Sequence, residues 1–538
     1  MRQTTLSVAL EVKPESYDHL STALDDLRNQ RSTSPSGGKG PFAEFLTSVP
    51  ALHFMSLSVF PGHDYDPLFV IEANFDGEAG PFWAQLEAAI APQLRDYLRC
   101  CKKPLGDTGA LFDAVTAKGA TVPVTPYLEA SALKPTVFHH GNRGLTRDRI
   151  LNEFELFKAT RRETEANDQA YRTLTPIGIH AKLRAALHPA FPWLDATPPL
   201  RISPGENVGD WFNIIAFAFA TVFALSLPGL ILTLIMPSFV RYFILLAIAL
   251  VGLGAWLSRI GGALPDTKIP TQFNLWAFLT GQLPIIIAAV LFYLAVVVLI
   301  GTPVSMLLTE RDLAAAASDL WTWLWHGLIS VPVTVVGILV WLRTLERADD
   351  AQYAPRVDPD MLRAMAQRED RIPQNHMGSL VLIKPGILRA VLVRAGHLGL
   401  GLLLRVIARN GYLGSMRTIH FAHWAMTNNK SRLMFFSNFD QTWESYLDDF
   451  IEKAHAGLTL AWCCGVGFPV TRFLVYEGAS NGRQFKEWAR HSMTVSRFWY
   501  SAYPELTTEQ IERNWRLATG LRKAALAKEE ADQWINDL

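Results

Sequence analysis

Between Trp211 and Leu345 the chain carries long apolar runs without charge, and these constrain its fold more than any other feature. Trp211–Met236 holds no Asp, Glu, Lys or Arg over 26 positions. At a helical rise of 1.5 Å per residue, about 20 apolar residues cross the hydrocarbon core of a bilayer. Tyr242–Ser258 is a second run, preceded by Arg241, whose long side chain can snorkel to the interface. From Ile269 to Thr309 there is no charge, and the expected span is Ile285–Leu308, with Phe273–Leu283 as a lead-in broken at Pro284. Trp321–Leu342 is the fourth run and carries only His326. Its indoles, Trp321, Trp323 and Trp325 at one end and Trp341 at the other, sit where interfacial anchors sit. Residues 211–345 are therefore expected to form a transmembrane block of four helices, at 211–236, 242–258, 285–308 and 321–342.

Four spans return the chain to the side it left. Arg201, Arg259, Lys268, Arg343, Arg347 and Arg356 fall on one side of this topology, and only Arg241 and Arg311 on the other. The excess of basic residues in short flanks places both arms in the cytoplasm, and the opening MRQTTLSVALEV is too polar for a signal peptide. The expectation is an integral, multi-pass membrane protein whose standing partner is the lipid bilayer. Lys+Arg and Asp+Glu are both 50, so no basic field exists to attract nucleic acid. The four cysteines form two adjacent pairs, Cys100–Cys101 and Cys463–Cys464, which lack zinc-site spacing and read as small apolar residues. No metal ligand set is assigned.

The arms follow one order. In the first, Thr4–Val12 reads as a strand, Tyr17–Asn29 as a helix, Ser32–Gly40 as a loop, and Ala51–Phe60 and Leu68–Phe75 as strands joined by the turn Pro61–Pro67. A helix over about Pro81–Cys101, a strand at Thr136–His140 and a long helix capped by Thr146 complete it. In the second, Ser379–Lys384 reads as a strand, Ile387–Arg409 as a leucine-rich helix that can pack on its own sheet or rest on the membrane surface, and Thr418–Met426 with Arg432–Phe439 as a hairpin. Then come the helix Trp443–Cys464, the strand Arg497–Tyr500 and a helix capped by Thr507. The separation is 367 residues from His53 to His420, 364 from Asn74 to Asn438, 363 from Cys100 to Cys463 and 361 from Thr146 to Thr507. So constant an offset points to tandem duplication with the membrane block inserted between the copies.

The expected fold class is thus α+β: two ferredoxin-like (βαββαβ) repeats forming a pseudo-dimeric α+β barrel, separated by the transmembrane block. Repeat 1 covers 1–165, a helical linker 166–210, a polar linker 346–376, and repeat 2 with a C-terminal helix 377–538. This order and duplication, over roughly 1–165 and 376–525, resemble the dimeric α+β-barrel superfamily, which includes dye-decolourising peroxidases and chlorite dismutases. The resemblance implies a haem cofactor and peroxidase-like oxidation. In those peroxidases a GxxDG stretch supplies a distal-pocket Asp. Here Asn74-Phe75-Asp76-Gly77 keeps the Asp-Gly without the leading Gly, and the second copy reads Asn438-Phe439-Asp440-Gln441.

The candidate chemistry centres on His53 and His420, at equivalent strand positions, as haem ligand or acid/base groups, or as histidines bonded within the sheets. Asp76 and Asp440 are candidates to orient them, or to cap the following helix. His139, His140 and Arg143 form the richest polar cluster of the first arm, with Arg143 a clamp for a carboxylate such as a haem propionate. Their aromatic counterparts Trp499, Tyr500 and Tyr503 suit stacking or electron relay, and His423 faces away from His420 on its strand. Two functions follow. One is a membrane-anchored barrel that binds a hydrophobic small molecule or haem and acts as a peroxidase-like oxidoreductase on a lipophilic substrate. The other is a non-catalytic, membrane-tethered ligand-sensing or assembly module. Transport through the spans is disfavoured, because no acidic or basic residue lies deep within them.

Overall fold

The structure, a computed structural model, describes residues 3–32, 42, 45–46, 51–62, 65–198, 200–236, 238–263, 275–309, 313–349, 356–407, 416–427 and 429–538. The expected loop Ser32–Gly40 beyond Ser32, His63 and Asp64 of the expected turn, Lys268, Phe273, Asn274, Arg311 and the helix Ile387–Arg409 beyond Ile407 lie outside the described residues.

The protein is mixed α+β; among the described residues two larger antiparallel sheets draw strands from both arms, beside a two-stranded ribbon of Thr471–Arg472 and Tyr476–Glu477. The first arm supplies β1 (Gln3–Glu11), α1 (Tyr17–Ser32), β2 (Leu52–Phe60), β3 (Leu68–Asp76) and α2 (Ala79–Cys100). It continues with β4 (Ala132–Leu133), β5 (Val137–His140) and α3 (Arg147–Ala166). The membrane block follows as α4 (Pro204–Ile235), α5 (Phe239–Gly261), α6 (Leu283–Thr309) and α7 (Leu313–Arg347). The second arm gives β6 (Gln374–Leu382), α8 (Ile387–Ile407), β7 (Ile419–Met426), β8 (Arg432–Asp440), α9 (Trp443–Trp462), β9 (Ser496–Ser501) and α10 (Thr508–Arg522). Thr146 and Thr507 cap α3 and α10 as expected, each accepting a backbone N–H of the first turn.

One sheet runs β9-β2-β3-β1-β4 and the other β5-β7-β8-β6. The arms therefore exchange strands. β5 of the first arm pairs with β7 of the second, and β9 of the second with β2 of the first. Val137 opposes Trp424 as Phe498 opposes Leu57, so the sequence offsets recur in the strand register. They recur in the helices too. Ile90 in α2 and Ala454 in α9, 364 residues apart, are the non-helical residues at which each helix kinks. Phe75 stacks on Phe82 at 4.5 Å between centroids, and the equivalent Phe439 on Tyr446 at 3.9 Å. Expected boundaries at 165 and 377 thus cut through a shared structure, and β6 begins at Gln374, three residues before the second boundary.

Period-2 alternation explains why β2 and β3 are buried at every position. In β2, Leu52, Leu57 and Val59 face the core formed with α1 and α2, while Phe54 and Phe60 enter clusters shared with the second sheet. Phe60 meets Phe436 edge-on at 6.3 Å, and Ser7 bonds His423 at 2.7 Å. The two sheets thus touch through their side chains.

Among the described residues, four helices are long and apolar enough to cross a membrane: Pro204–Thr233, Phe239–Gly261, Ala317–Arg347 and Ile387–Val406, with a shorter apolar stretch at Leu283–Leu299. The first three match expected spans, but the fourth, α8, belongs to the second arm. Among the block helices, Pro204 stands in the first turn of α4 behind the cap Ser203. Small residues let α4 and α7 approach: Gly229 lies against Ser330 and Gly327 against Leu230. His326, the titratable residue of the fourth run, is fully buried, stacks on Tyr242 at 3.9 Å and bonds Thr233 at 3.0 Å.

Both arms grip the same end of this block. Arg143 pairs with Glu206 at 2.6 Å and Asp210 at 2.8 Å at the start of α4. Arg201 holds Glu512 of α10 at 2.7 Å, and Lys384 holds Asp349, just past α7, at 2.8 Å. Glu346 near the end of α7 accepts the backbone N–H groups of Phe473 and Leu474, each at 3.0 Å. Phe473 and Leu474 have φ of +53° and +61°, so their consecutive N–H groups converge on one carboxylate.

Candidate functional site

His53 and His420 are where they are because the strands bulge. Pairing of β2 with β3 slips between Leu52 and Phe54, and pairing of β7 with β8 slips between Ile419 and Phe421, leaving each histidine as the extra residue. His420 Nε2 bonds Asp440 Oδ1 at 2.7 Å. Its counterpart His53 lies with Nε2 3.1 Å from Asp76 Oδ2, a charge contact rather than an aligned hydrogen bond, while Nδ1 bonds the Tyr503 hydroxyl at 2.9 Å. Each aspartate also caps a helix, though not the one that follows it. Asp76 Oδ2 accepts the Arg147 N–H of α3 at 2.8 Å, and Asp440 Oδ2 accepts the Thr508 N–H of α10 at 2.8 Å. Of the helices that do follow, α9 is capped by Thr442, and Glu78 before α2 makes no side-chain cap. A carboxylate at a helix N-terminus meets free N–H groups and the positive end of the dipole, so each aspartate ties a bulge to a helix by charge-assisted bonds.

Between the two sheets, Phe54 packs on His420 at 5.3 Å and Phe421 on His53 at 5.1 Å. The side chains of His53, Asp76, His420 and Asp440 are at most 4% exposed. This geometry does not fit a haem iron. Both nitrogens of His53 already face protein groups, and the remaining nitrogen of His420, Nδ1, is enclosed beneath Phe54 and Tyr503.

Between the two sheets lies a second, one-sided cluster. Glu72 Oε2 accepts Ser56 Oγ at 2.9 Å, Oε1 accepts the Asn74 amide and, at 3.5 Å, the Asn438 amide of the other sheet. His376 Nε2 stands 3.6 Å from Glu72 Oε2. Trp499 donates to Asn438 at 2.8 Å, and His376 Nδ1 bonds Ser496 at 2.7 Å. Burial pushes the Glu72 carboxyl up, but His376, His423 and Asn74 outweigh it and hold the group below the usual carboxylate range. By strand register the counterparts of Glu72, His376 and His423 are Phe436, Thr5 and Ser56, so the fold does not require the cluster. Were two copies of the first arm to mate, Glu72 would meet Thr5 and Ser56 and be buried without an imidazole, which costs several kcal/mol.

The remaining expected residues scatter. His139 pairs across from Ala422, 3% exposed, and burial pushes its pKa down to about 4. His140 abuts Phe138 and Phe421, and burial beside His139 and Arg143 holds it well below the usual value. Arg143 is held by Glu206 and Asp210, and Tyr500 donates to Leu46 O at 2.7 Å. His423 and Trp499 belong to the central cluster, and Tyr503 to the His53 end. Sequence reading missed Glu72 and His376. The available signal was a lone acid inside the apolar run LFVIEANF. The four cysteines are buried, with thiols pushed up by burial. Among the described residues, no group of three or more His, Cys, Asp or Glu is placed to hold a metal ion. No family model, curated protein or solved structure matches the chain.

Burial of His139 and His423 has a pH signature. Desolvation lowers each to about 4, against about 6.5 in an unfolded chain. The unfolded state then takes up protons first, so this stability is whole above about pH 6.5 and is lost as pH falls toward 4. At about pH 5 the loss is about 2 kcal/mol per histidine, or roughly 5 °C in Tm. Melting curves of the detergent-solubilised protein at the two pH values read it, and equal Tm would contradict the neutral, buried state.

Proposed function

We propose that the protein is a non-catalytic, membrane-tethered assembly module: two ferredoxin-like repeats closed into a pseudo-dimeric α+β barrel and clamped against a transmembrane block. The observation that carries this reading is the state of the two bulge histidines. Their partners, Asp76, Asp440 and Tyr503, spend their polar atoms joining strands to helices and one arm to the other. The space between the sheets is crossed by direct contacts such as Ser7 to His423 and Glu72 to Asn438. Groups so engaged brace the barrel. They are not poised to exchange a ligand.

A peroxidase-like reading, with a lipophilic substrate, draws support from the unpartnered Nδ1 atoms of His420 and His423, from Tyr503, whose ring centre lies 5.9 Å from that of His420, and from Trp499, 6.0 Å from the His376 ring. One experiment separates the two. The protein is purified in mild detergent from cells supplied with a haem precursor, and its visible spectrum is recorded with and without added hemin. The expected result is a colourless protein that gains no Soret band, with His53→Ala and His420→Ala lowering Tm and leaving the spectrum unchanged. A Soret band abolished by His420→Ala would establish the peroxidase-like reading instead.

A further inference from the structure

α8 is apolar and long enough to cross a bilayer, yet the strands on either side of it forbid crossing. β6, which precedes it, and β7, which follows it, both pair with β8 in one sheet. A helix passing through the membrane would leave those strands on opposite sides. α8 instead covers its sheet, burying Leu388, Val393 and His397 on the strand side.

Its position relative to the membrane block is fixed at both ends. Near its start, Arg389 donates to Leu345 O at 3.0 Å and pairs with Asp349, at the close of α7. Near its finish, Arg405 lies 3.7 Å from Asp210 at the opening of α4. Between these points Gly399 approaches Phe217 of α4 so closely that an added Cβ would sit 3.0 Å from the ring. The helix thus lies against the first four turns of α4 and the end of α7.

The face left over is apolar. Ile387, Val391 and Leu398 are 81%, 55% and 53% exposed, and exposed Arg394 stands among them. The helix in the same place on the first sheet, α1, shows solvent Asp18, His19, Thr22 and Asp26. A water-facing crossover helix needs no such stripe, so the difference between the two has a cause on the α8 side only. We infer that α8 is an in-plane membrane helix, its Ile387–Val391–Leu398 face sunk at the boundary of phospholipid headgroups and acyl chains, with Arg394 placed for a lipid phosphate. Continuity with α4 supplies the argument for lipid as the occupant, since α8 abuts a helix that is itself exposed to the same layer. An amphipathic helix so placed is held by its buried apolar area and by cation–phosphate attraction.

The inference rests on the membrane reading of the four-helix block, and its test separates the two. Nitroxide labels are placed singly at Val391→Cys, Leu398→Cys, Ile248→Cys on α5 and Thr22→Cys on α1. The full chain is reconstituted into vesicles of phosphatidylcholine and phosphatidylglycerol, and collision with oxygen, which concentrates in lipid, is compared with collision with a water-soluble nickel chelate. The expected outcome is preference for oxygen at 391, 398 and 248, with the order reversed at 22. Nickel preference at 391 and 398 while 248 stays in lipid overturns the α8 inference alone. Shielding of 391 and 398 from both reagents also overturns it and assigns that face to protein, such as a second copy. Nickel preference at 248 removes the membrane reading itself.

Discussion

Replacing Asp440 by alanine should lower the Tm of the detergent-solubilised protein by roughly 10–15 °C, the largest effect expected from any single side chain described above. The carboxylate is 4% exposed and receives the His420 ring, the Thr508 N–H and, at 2.9 Å, the Thr508 hydroxyl. Truncation leaves the His420 ring and the Thr508 N–H buried without an acceptor, while the Thr508 hydroxyl keeps Arg417 O; at about 1–3 kcal/mol each the two come to about 4 kcal/mol together. For a domain of this size 1 kcal/mol moves Tm by about 2–4 °C. Asp440→Asn keeps one acceptor and should cost about half as much, while Asp76→Ala should cost less than Asp440→Ala, since the His53 contact is longer and poorly aligned. Melting of Asp440→Ala within about 2 °C of the parent would show that the aspartate does not join bulge to helix.

Glu346→Ala should free the second arm from the membrane block before it unfolds anything. The side chain is 4% exposed, and its two oxygens take the N–H groups of Phe473 and Leu474, the Thr471 hydroxyl at 3.0 Å and Arg343 at 3.1 Å. Without it, two N–H groups held at positive φ lose their acceptor, for about 3 kcal/mol. Cleavage of the 471–474 segment by a protease follows the population of the open form, so its rate should rise about 100-fold. Glu346→Gln, which keeps one acceptor oxygen, should show a rise of about tenfold. Unchanged cleavage in both variants would place the attachment elsewhere, at Asp349 or Asp210.

The membrane helices were legible because a bilayer imposes one rule on composition, and that rule leaves a mark at every residue. Their ends were less so: α4 starts at Pro204 rather than Trp211, since a helix continues past the hydrocarbon where Ser203 can cap it. The residue offsets read from the sequence recur in the structure, where the kinks at Ile90 and Ala454 repeat them. The exchange of β5 and β9 was not legible, because a four-residue strand such as Val137–His140 carries no information about which edge it joins. β6 was read from Ser379, although it starts at Gln374; Gln-Asn-His is polar there because those side chains meet the neighbouring loops and the other arm. The same reason hid Glu72, whose partners lie three hundred residues away in sequence. The dual task of Asp76 and Asp440 escaped for want of the tertiary path that brings α3 and α10 back to the strand ends.

Strand exchange also sets a timetable for synthesis. β2 ends at Phe60 and the strand that completes its edge begins at Ser496, so 435 residues must be made in between. At about 5–20 residues per second the ribosome needs roughly 20–90 s for that stretch. Throughout that interval the edge of β2 waits with open backbone groups, and the nascent first arm is a template for any stray strand. The apolar helices between the arms are made in the meantime, so the two sheets can be completed only after those helices exist.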